Sequence, residues 1–276
     1  MISAIENRLS AAQHERLTRF RATQCVDIHC HCLPGLDDGP ATMDHALAVC
    51  RALVADGVTT VVATPHQLGR FDGQFTSQDI RRAVADLNSA LAAEGVPLTV
   101  VPGADVRIDE RIPRLLEADR VLTLADGGEY VLLELPHDTF INPYALVGEL
   151  AARGFKAIIS HPERNAFLTR QPQAASGWLA RGVWFQVTAA SLVGDFGPAA
   201  ERAAWHWLAT HAAALVATDA HDTDFRRPRM SAAIDRIAER LGHVAARRVC
   251  IENPLRVLAG EGISPLAGFA GAGGRE

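Results

Sequence analysis

Short runs of β-branched and other apolar residues alternate along the chain with longer stretches in which apolar residues recur at helical spacing. Seven of these runs predict buried strands: CVDIH, VTTVVA, LTVV, YVLLEL, KAIIS, VWFQV and ALVAT. Helical stretches between them end near glycines suited to a left-handed C-cap, namely Gly57, Gly95, Gly154 and Gly182. This βα alternation predicts a parallel sheet and indicates a barrel or a distorted barrel.

The two ends of the chain depart from this pattern. Residues 1–22 predict one amphipathic helix, an N-terminal extension of the main domain. Its apolar face would carry Ile5, Leu9, Ala12 and Leu17. Residues 263–276 are rich in glycine and alanine and are expected to form a flexible tail, so the folded domain is predicted to span residues 23–262.

Composition narrows the class of partner and the compartment. With 276 residues, 48% of them hydrophobic, the chain is long enough to bury one sizeable core. A formal net charge of −5 without a run of lysine or arginine argues against nucleic acid and anionic membranes, and favours a small molecule or a protein segment. The chain has no membrane-length apolar run and no signal-peptide core, so we expect a cytoplasmic protein. Five cysteines without a C-x-x-C pair agree with free thiols in a reducing compartment.

Residues that ligate metals follow most of the predicted strands. They are His29 and His31 after the first, His66 after the second, Asp105 after the third, Glu134 in the fourth, His161 after the fifth, and Asp219 with His221 after the last. The C-terminal ends of parallel strands converge on one face of the fold, so these side chains are expected to meet. Alternation along a strand places residues i and i+2 on one side, which lets each H-x-H or D-x-H pair point at one centre.

Together these residues predict a multinuclear metal site. Glu134 lies inside the apolar run YVLLELP, where a carboxylate is costly to bury without a partner charge or a metal. A single histidine at a strand end is more often solvated than a ligand, but recurrence at nearly every strand makes coincidence improbable. Mixed imidazole and carboxylate donors suit zinc, manganese or iron better than calcium or magnesium, and no thiolate spacing indicates a structural zinc.

Two arginines lie close to the predicted ligands. Arg164 comes three residues after His161. Arg226 comes five residues after His221, with Arg227 as its alternative. Guanidinium groups beside clustered metal ions suit a phosphoryl group, whose oxygens need positive charge in the transition state. We therefore predict that these arginines bind phosphate.

Six motifs occur in an order and at separations that resemble one superfamily: DIHCHCLPGLDDG, GVTTVVATPH, LLELP, ISHPER, ATDAH and ENP. They cover roughly residues 25–260 and resemble the PHP superfamily, named for its polymerase and histidinol phosphatase members. The closer likeness is to the manganese-dependent bacterial protein-tyrosine phosphatases of capsule and exopolysaccharide loci. The resemblance implies an α/β fold, a distorted (β/α)7-type PHP barrel with a metal site at the C-terminal ends of its strands.

The resemblance also implies the membership of the site. Three metal ions would bind, expected to be Mn²⁺, with Fe, Zn, Co or Mg as alternatives. Their ligands would be His29, His31, Asp38, His66, Asp105, Glu134, His161, Asp219 and His221. Of two adjacent acids the family pattern selects Asp38 and leaves Asp37 as loop structure. Arg164 and Arg226 would bind the phosphoryl group and, with His66 and Asp219, take part in catalysis.

The substrate implied by the resemblance is phosphotyrosine in the tail of a bacterial tyrosine autokinase that controls polysaccharide synthesis and export. Nothing else in the sequence identifies tyrosine, and no oligomeric state is predicted. Two alternatives stay open: a phosphatase of a small metabolite such as histidinol phosphate, and a non-catalytic metal-binding regulatory module. The loop HQLGRFDGQFTSQ is expected to form the cleft wall or lid that decides between the substrates, with Arg70 and Phe71 as candidate peptide contacts.

Two features depart from the family pattern. The family commonly has glutamate where this chain has Asp105, and the shorter carboxylate is expected to alter the metal spacing or preference. Members also usually begin almost at the H-x-H motif, whereas here residues 1–22 precede it.

A second phosphatase motif occurs by spacing alone. Cys250 and Arg256 match the C-x5-R pattern of thiol-dependent tyrosine phosphatases. Those enzymes need a loop of free backbone N–H groups around the phosphate and a stabilised thiolate. Pro254 removes one donor and Glu252 would repel the substrate, so we predict that this motif is not a site.

Overall fold

The computed structural model describes residues 25–266. The helix predicted over residues 1–22 and the part of the predicted tail at 267–276 lie outside the described residues, so the domain boundaries stay predictions. Just before that point, Ile263 is buried and Ser264 exchanges two hydrogen bonds with Asn253.

Strands and helices alternate along the described residues. The strands are β1 (Cys25–Cys30), β2 (Val58–Ala63), β3 (His66–Gln67), β4 (Thr99–Pro102), β5 (Asp105–Arg107), β6 (Tyr130–Glu134), β7 (Lys156–Ser160), β8 (Trp184–Thr188) and β9 (Ala213–Ala217). The α-helices are α1 (Met43–Ala55), α2 (Ser77–Ala93), α3 (Ile112–Glu117), α4 (Tyr144–Ala152), α5 (Ser176–Leu179), α6 (Ala189–Leu192), α7 (Gly197–Ala209), α8 (Met230–Leu241), α9 (His243–Arg247) and α10 (Asn253–Ala259). Single helical turns span Gly69–Phe71, Leu124–Asp126, Pro162–Arg164, Pro172–Ala175 and Arg248–Glu252. None of the described helices has the length and apolar character needed to cross a membrane.

Every strand pair among these residues is parallel, and the strands form two sheets. One sheet has the order β1-β2-β4 and the other the order β3-β5-β6-β7-β8-β9. The two sheets are halves of the same structure, because β2 continues past Pro65 as β3, and β4 continues past Pro102 and Gly103 as β5. Proline has no N–H to donate to a ladder, so each strand is interrupted there and changes sheet.

When β2 with β3, and β4 with β5, are each counted as one interrupted strand, the ring has seven parallel strands, in agreement with the seven predicted strands. The last strand, β9, meets the first, β1, at the C-terminal end of both, through an isolated bridge between Cys30 and Ala220. Two backbone hydrogen bonds join the same ends: Asp219 N–H to the carbonyl of His29 at 2.8 Å, and His31 N–H to the carbonyl of Ala220 at 2.9 Å. The ring is therefore distorted, with a short closure at the end where the predicted ligands lie.

The outer helices are fixed by caps and by one apolar face. At the start of α2, Thr76 and Asp79 form a reciprocal capping box. The buried residues of this helix recur at helical spacing: Ile80, Val84, Leu87 and Leu91. Each such aliphatic side chain contributes about 1.5–3 kcal/mol on burial, which holds the helix against the sheet.

The inside of the ring is apolar except at its C-terminal end. On β6 the alternating residues Tyr130, Leu132 and Glu134 share one face; the first two belong to an apolar cluster and the third lies at the strand end. Leu255 and Leu258 of α10 join this cluster, while Asn253 donates to the carbonyl of Ala214 near the start of β9. The helix thus closes the N-terminal end of the ring, and polar side chains occupy the other end.

Candidate metal centre

All nine residues predicted as ligands lie together at the C-terminal ends of the strands. Their donor atoms form overlapping groups, in each of which the atoms lie within 4.8 Å of one another. These groups are His31, Asp38, His66 and His221; His29, Asp105 and His161; His29, His31 and Asp219; and His66, Asp105 and Glu134. A further group brings in a residue that was not predicted, His137, together with Glu134 and His161.

Two histidines at the C-terminal end of β1, His29 in the strand and His31 just after it, form the middle of the cluster, and each is oriented by a buried partner. The Nε2 atoms of His29 and His31 are 3.2 Å apart, as the alternation of the strand requires. His29 Nδ1 bonds Gln186 Oε1 at 2.8 Å, and His31 Nδ1 bonds Asp37 Oδ2 at 2.6 Å. Both Nε2 atoms therefore face the centre, as in metal sites where an outer hydrogen bond fixes the ring. Asp37 thus does more than shape its loop.

Asp105 reaches the histidines despite its short side chain. Ser160 Oγ donates to its Oδ1 at 3.0 Å. Its Oδ2 lies 3.6 Å from His29 Nε2 and 3.5 Å from His66 Nδ1. The same atom is 3.8 Å from His161 Nε2. One oxygen of Asp105 therefore faces three imidazoles, and the other is held by Ser160 at the end of β7, two strands away.

Two residues in the cluster have strained backbones. His161 has φ 31° and Asp219 has φ 52°, in the left-handed region that residues with a Cβ rarely adopt. Each such conformation costs about 1–3 kcal/mol and persists only where surrounding contacts hold it. For Asp219 those contacts include Asp27, whose buried carboxylate accepts from the backbone and hydroxyl of Thr218 and from the N–H of His29. This backbone strain lowers stability, but it directs the side chains of His161 and Asp219 into the centre.

Asp219 links the cluster to both predicted arginines. Its Oδ2 accepts from Arg164 Nη1 and from Arg226 Nη2, each at 2.7 Å. Its Oδ1 lies 3.3 Å from His29 Nε2 and 3.4 Å from His31 Nε2. Burial alone would raise the pKa of Asp219, but the charges of Arg226 and His29 outweigh burial and hold it well below its usual range.

Most of the other histidines at the centre have a pKa shifted in the direction that suits metal binding. Burial lowers the pKa of His66 to about 3 and those of His161 and His221 to about 4, so these imidazoles are neutral, as a ligand must be. His31 is the exception: burial would lower its pKa, but Asp37 and Asp219 outweigh burial and raise it to about 10, so a metal ion must displace a proton there. Burial and the charge of Asp105 raise the pKa of Glu134 to about 8. Carboxylates crowded in this way are stabilised when cations lie between them.

Unpartnered buried atoms test whether the residues fit metal ions. The buried atoms that lack a hydrogen-bond partner include four from the predicted ligands: His66 Nδ1, Asp105 Oδ2, Asp219 Oδ1 and His221 Nε2. Such atoms are rare because each costs about 1–3 kcal/mol. All four belong to the ligand groups and face the centre. The donor set, histidine nitrogens with carboxylate oxygens, therefore fits divalent transition metals.

A cavity of about 250 Å³ opens onto the cluster. Four arginines line it: Arg70, Arg107, Arg164 and Arg226. Arg164 is stacked on the ring of Phe196 at 4.5 Å, and Arg107 Nη2 lies 3.1 Å from Glu134 Oε2. Arg227 is exposed and does not line the cavity, so the geometry favours Arg226 over its neighbour.

The loop after His66 forms one wall of this cavity, as predicted. Leu68, Arg70 and Phe71 line it. The Phe71 ring stacks on His66 with ring centroids 5.7 Å apart, and Arg70 lies 4.6 Å above Phe71. Gly69 has φ 57°, and a Cβ there would come within 2.9 Å of Arg107 Cγ. The wall can approach the cavity floor only because this residue is glycine.

Sequence reasoning missed four residues of the site. Gln186 is a fully buried polar residue inside an otherwise apolar strand, which was a signal for a buried hydrogen bond. Arg107 lies two residues after Asp105 and shares its side of β5. Asp37 and His137 gave no signal beyond their closeness to predicted ligands.

The C-x5-R motif does not form a site, as predicted. Cys250 is fully buried and lies in the π-helical turn before α10, and burial raises the pKa of its thiol well above the usual value. A nucleophilic cysteine needs the opposite shift. Arg256 donates to the carbonyl of Gly262 and therefore has a structural hydrogen bond in place of a phosphate contact.

Comparison with known proteins places these observations in a family. The family model for capsular polysaccharide synthesis proteins CpsB/CapC matches residues 25–259. The tyrosine-protein phosphatase YwqE of Bacillus subtilis (strain 168) is 33% identical over 205 residues, which cover 73% of this chain and 79% of YwqE. The putative tyrosine-protein phosphatase CapC of Staphylococcus aureus is 31% identical over 200 residues, covering 71% of this chain and 76% of CapC.

A solved structure supports the same relationship. It comes from a study of YwqE from Bacillus subtilis and CpsB from Streptococcus pneumoniae, described as unique metal-dependent tyrosine phosphatases. It superposes with a TM-score of 0.83 and 29% identity, covering 87% of this chain and 96% of that chain. The predicted PHP-type α/β fold is thereby confirmed, and the chain belongs to the CpsB/CapC family of capsular polysaccharide synthesis proteins.

Proposed function

We propose that this protein is a metal-dependent phosphatase that hydrolyses phosphotyrosine on a protein. The observation that carries the proposal is the cavity in which four arginines lie beside a cluster of metal-ligating side chains. A phosphate monoester needs both components, since its charge must be neutralised and water must be activated. Relatives named as tyrosine-protein phosphatases support the choice of substrate.

The nine predicted residues would hold the metal ions, which we propose are three Mn²⁺ ions. Asp105 and Asp219 each occur beside several histidines and are suited to be shared between ions. When bound, such ions lower the pKa of water and neutralise charge on the phosphoryl oxygens. His31, His66 and His221 offer neutral or partnered imidazoles around Asp38 at the edge nearest the cavity.

Arg164 and Arg226 would hold the phosphoryl group. Their guanidinium groups converge on one oxygen of Asp219, and both arginines line the cavity. Guanidinium N–H groups remain that can donate to phosphoryl oxygens, because each arginine has five donors. Stacking of Arg164 on Phe196 fixes the plane of its guanidinium before substrate binds, which lowers the entropic cost of binding.

The cavity wall suits an aromatic ester. Leu68 and Phe71 give apolar surface beside the arginines, where a phenyl ring can pack. Tyrosine, with a pKa of about 10, is also a better leaving group than an alkoxide and needs less help from a general acid. The protein could thus act on tyrosine without a strongly acidic side chain at the leaving oxygen.

The physiological partner in this proposal is the tyrosine-rich tail of a bacterial tyrosine kinase that controls polysaccharide synthesis or export. Membership of a capsular polysaccharide synthesis family supports that setting. A flexible phosphorylated tail could enter the cavity from outside without a matching folded surface. We also propose a cytoplasmic location and a phosphatase domain over residues 23–262.

The test compares substrates with one enzyme preparation. Metal-stripped protein is re-supplied with Mn²⁺ and assayed for phosphate release from a phosphotyrosine peptide, the same peptide with phosphoserine, and histidinol phosphate. We expect the phosphotyrosine peptide to be preferred and all hydrolysis to be lost in His161→Ala. Preference for histidinol phosphate would assign the protein to metabolite phosphatases, and no hydrolysis of any substrate would favour a regulatory module.

A further inference from the structure

His137 lies at the metal centre although no sequence pattern predicted it there. It comes three residues after Glu134, the last residue of β6, and lines the cavity. Its ring centroid is 5.5 Å from that of His161, with the planes at 49°. Its Nε2 atom is buried and has no hydrogen-bond partner among the described residues. A buried imidazole nitrogen without a partner is costly, so this atom calls for a ligand.

Two donors adjoin this histidine and complete a small group. One ligand atom each from Glu134, His137 and His161 lie within 4.8 Å of one another. Two imidazoles and one carboxylate are a common set for a divalent transition metal. Asp105 approaches His161 through Oδ2 at 3.8 Å, while its Oδ1 accepts from Ser160, so His137 adds a further donor beside His161.

The main chain around His137 is held against the turn that carries His161. Ala166 N–H donates to the His137 carbonyl at 2.8 Å. Asn165 Nδ2 donates to the carbonyl of Pro136 at 2.6 Å and to that of Thr139 at 3.3 Å. Three hydrogen bonds thus fix the loop before any ion binds, as a preorganised ligand requires.

We infer that His137 is a tenth ligand of the metal centre and shares one divalent cation with Glu134 and His161. The inference rests on the metal centre of the proposed function, but not on the substrate being phosphotyrosine. If His137 only lined the cavity, its ring would touch substrate and leave metal binding unchanged. The two roles are therefore separated by measuring metal binding without substrate.

The experiment measures Mn²⁺ binding to metal-stripped full-length protein by isothermal titration calorimetry, with bound metal counted after equilibrium dialysis. His137→Leu keeps a side chain of similar bulk and removes the donor. His137→Gln keeps an oxygen donor on a side chain of comparable reach. His45→Leu, at an exposed position on α1, is the matched control. Main-chain hydrogen bonds at residue 137 are retained in each variant.

We expect His137→Leu to weaken one Mn²⁺ ion by about tenfold or more, or to lose it, since even outer partners of ligands are worth about 10- to 100-fold. His137→Gln should recover part of the affinity, and His45→Leu should match the wild type. Pulsed electron paramagnetic resonance should show one fewer imidazole nitrogen coupled to Mn²⁺ in His137→Gln.

Unchanged Mn²⁺ count and affinity in His137→Leu would overturn the inference, whatever the effect on hydrolysis. Thermal unfolding of the metal-stripped variants checks that the fold is intact, and if His137→Leu does not fold, the nitrogen count in His137→Gln decides alone. Loss of phosphotyrosine hydrolysis with normal metal binding would leave the phosphatase proposal standing and remove His137 from the ligand set.

Discussion

Asp37 is predicted to control metal binding without touching a metal ion. Its carboxylate accepts three hydrogen bonds, from His31 Nδ1 at 2.6 Å, from the N–H of His66 at 3.0 Å and from the N–H of Gly39 at 3.0 Å. These bonds aim the Nε2 of one ligand at the centre and fix the backbone of a second. The substitution Asp37→Asn keeps the shape of the side chain and removes its charge.

The size of the effect follows from these contacts. An asparagine has one acceptor oxygen, so its NH₂ group must face at least one of the three donors. A hydrogen bond to a charged group is worth about 1.5–3 kcal/mol and a neutral one about 0.5–1.5 kcal/mol, so loss of the charge at His31 costs about 1–1.5 kcal/mol. The mismatched NH₂ group adds to this. Since about 1.4 kcal/mol is a factor of ten, we expect Mn²⁺ affinity to fall by about 10- to 100-fold.

The assay is calorimetric titration of metal-stripped protein with Mn²⁺. Asp86→Asn on the exposed side of α2 is the control for loss of one carboxylate, and it should bind like the wild type. Thermal unfolding of the metal-stripped proteins shows whether Asp37→Asn lowers the stability of the whole fold or only the affinity of the metal site. Equal Mn²⁺ affinity in Asp37→Asn and wild type would refute the orienting role and return Asp37 to loop structure.

Three further predictions test other parts of the site. Arg164→Ala and Arg226→Ala should each lower kcat/KM for a phosphotyrosine peptide by about 10²-fold or more, whereas Arg227→Ala should stay near wild type. The assay uses saturating Mn²⁺, because both arginines also bond the proposed ligand Asp219; equal losses at all three arginines would point to general charge instead of phosphate contacts. Cys250→Ala should remain active, and iodoacetamide should not inactivate the native wild type, because that thiol is buried and its pKa is raised; rapid inactivation protected by phosphate would contradict this. Mn²⁺ at about 100 times its Kd should raise the free energy of unfolding by about 2.7 kcal/mol over the stripped protein, and a calorimetric scan with no shift in Tm would argue against a metal centre.

The hydrophobic pattern of the sequence predicted the seven main strands of the barrel well, because each buried strand is a short continuous apolar run. All seven predicted strands are present, within two residues of their expected bounds. The short strands β3 and β5 were not predicted, since they follow Pro65 and Gly103 and have too few residues to show alternation. Their positions depend on pairing across the ring, which a local pattern does not contain.

The ligands were predictable because they recur at strand ends, where the fold brings distant residues together. Their partners were harder to predict. Gln186 orients His29 from 157 residues away, so the pair is created only by the packing of β8 beside β9 and β1. His137 enters the centre through a loop whose hydrogen bonds to Asn165 and Ala166 are also long-range. Side chains from loops are fixed by such contacts, and spacing along the chain gives little warning of them.

The most direct test of the central claim is phosphate release from a phosphotyrosine peptide by metal-stripped protein while Mn²⁺ is titrated in. We predict no turnover without metal, a rise that saturates as the centre fills, and no activity at any Mn²⁺ concentration in His161→Ala. Undiminished turnover by the stripped protein, or activity that does not respond to Mn²⁺ or any other divalent transition metal, would contradict a metal-dependent tyrosine phosphatase.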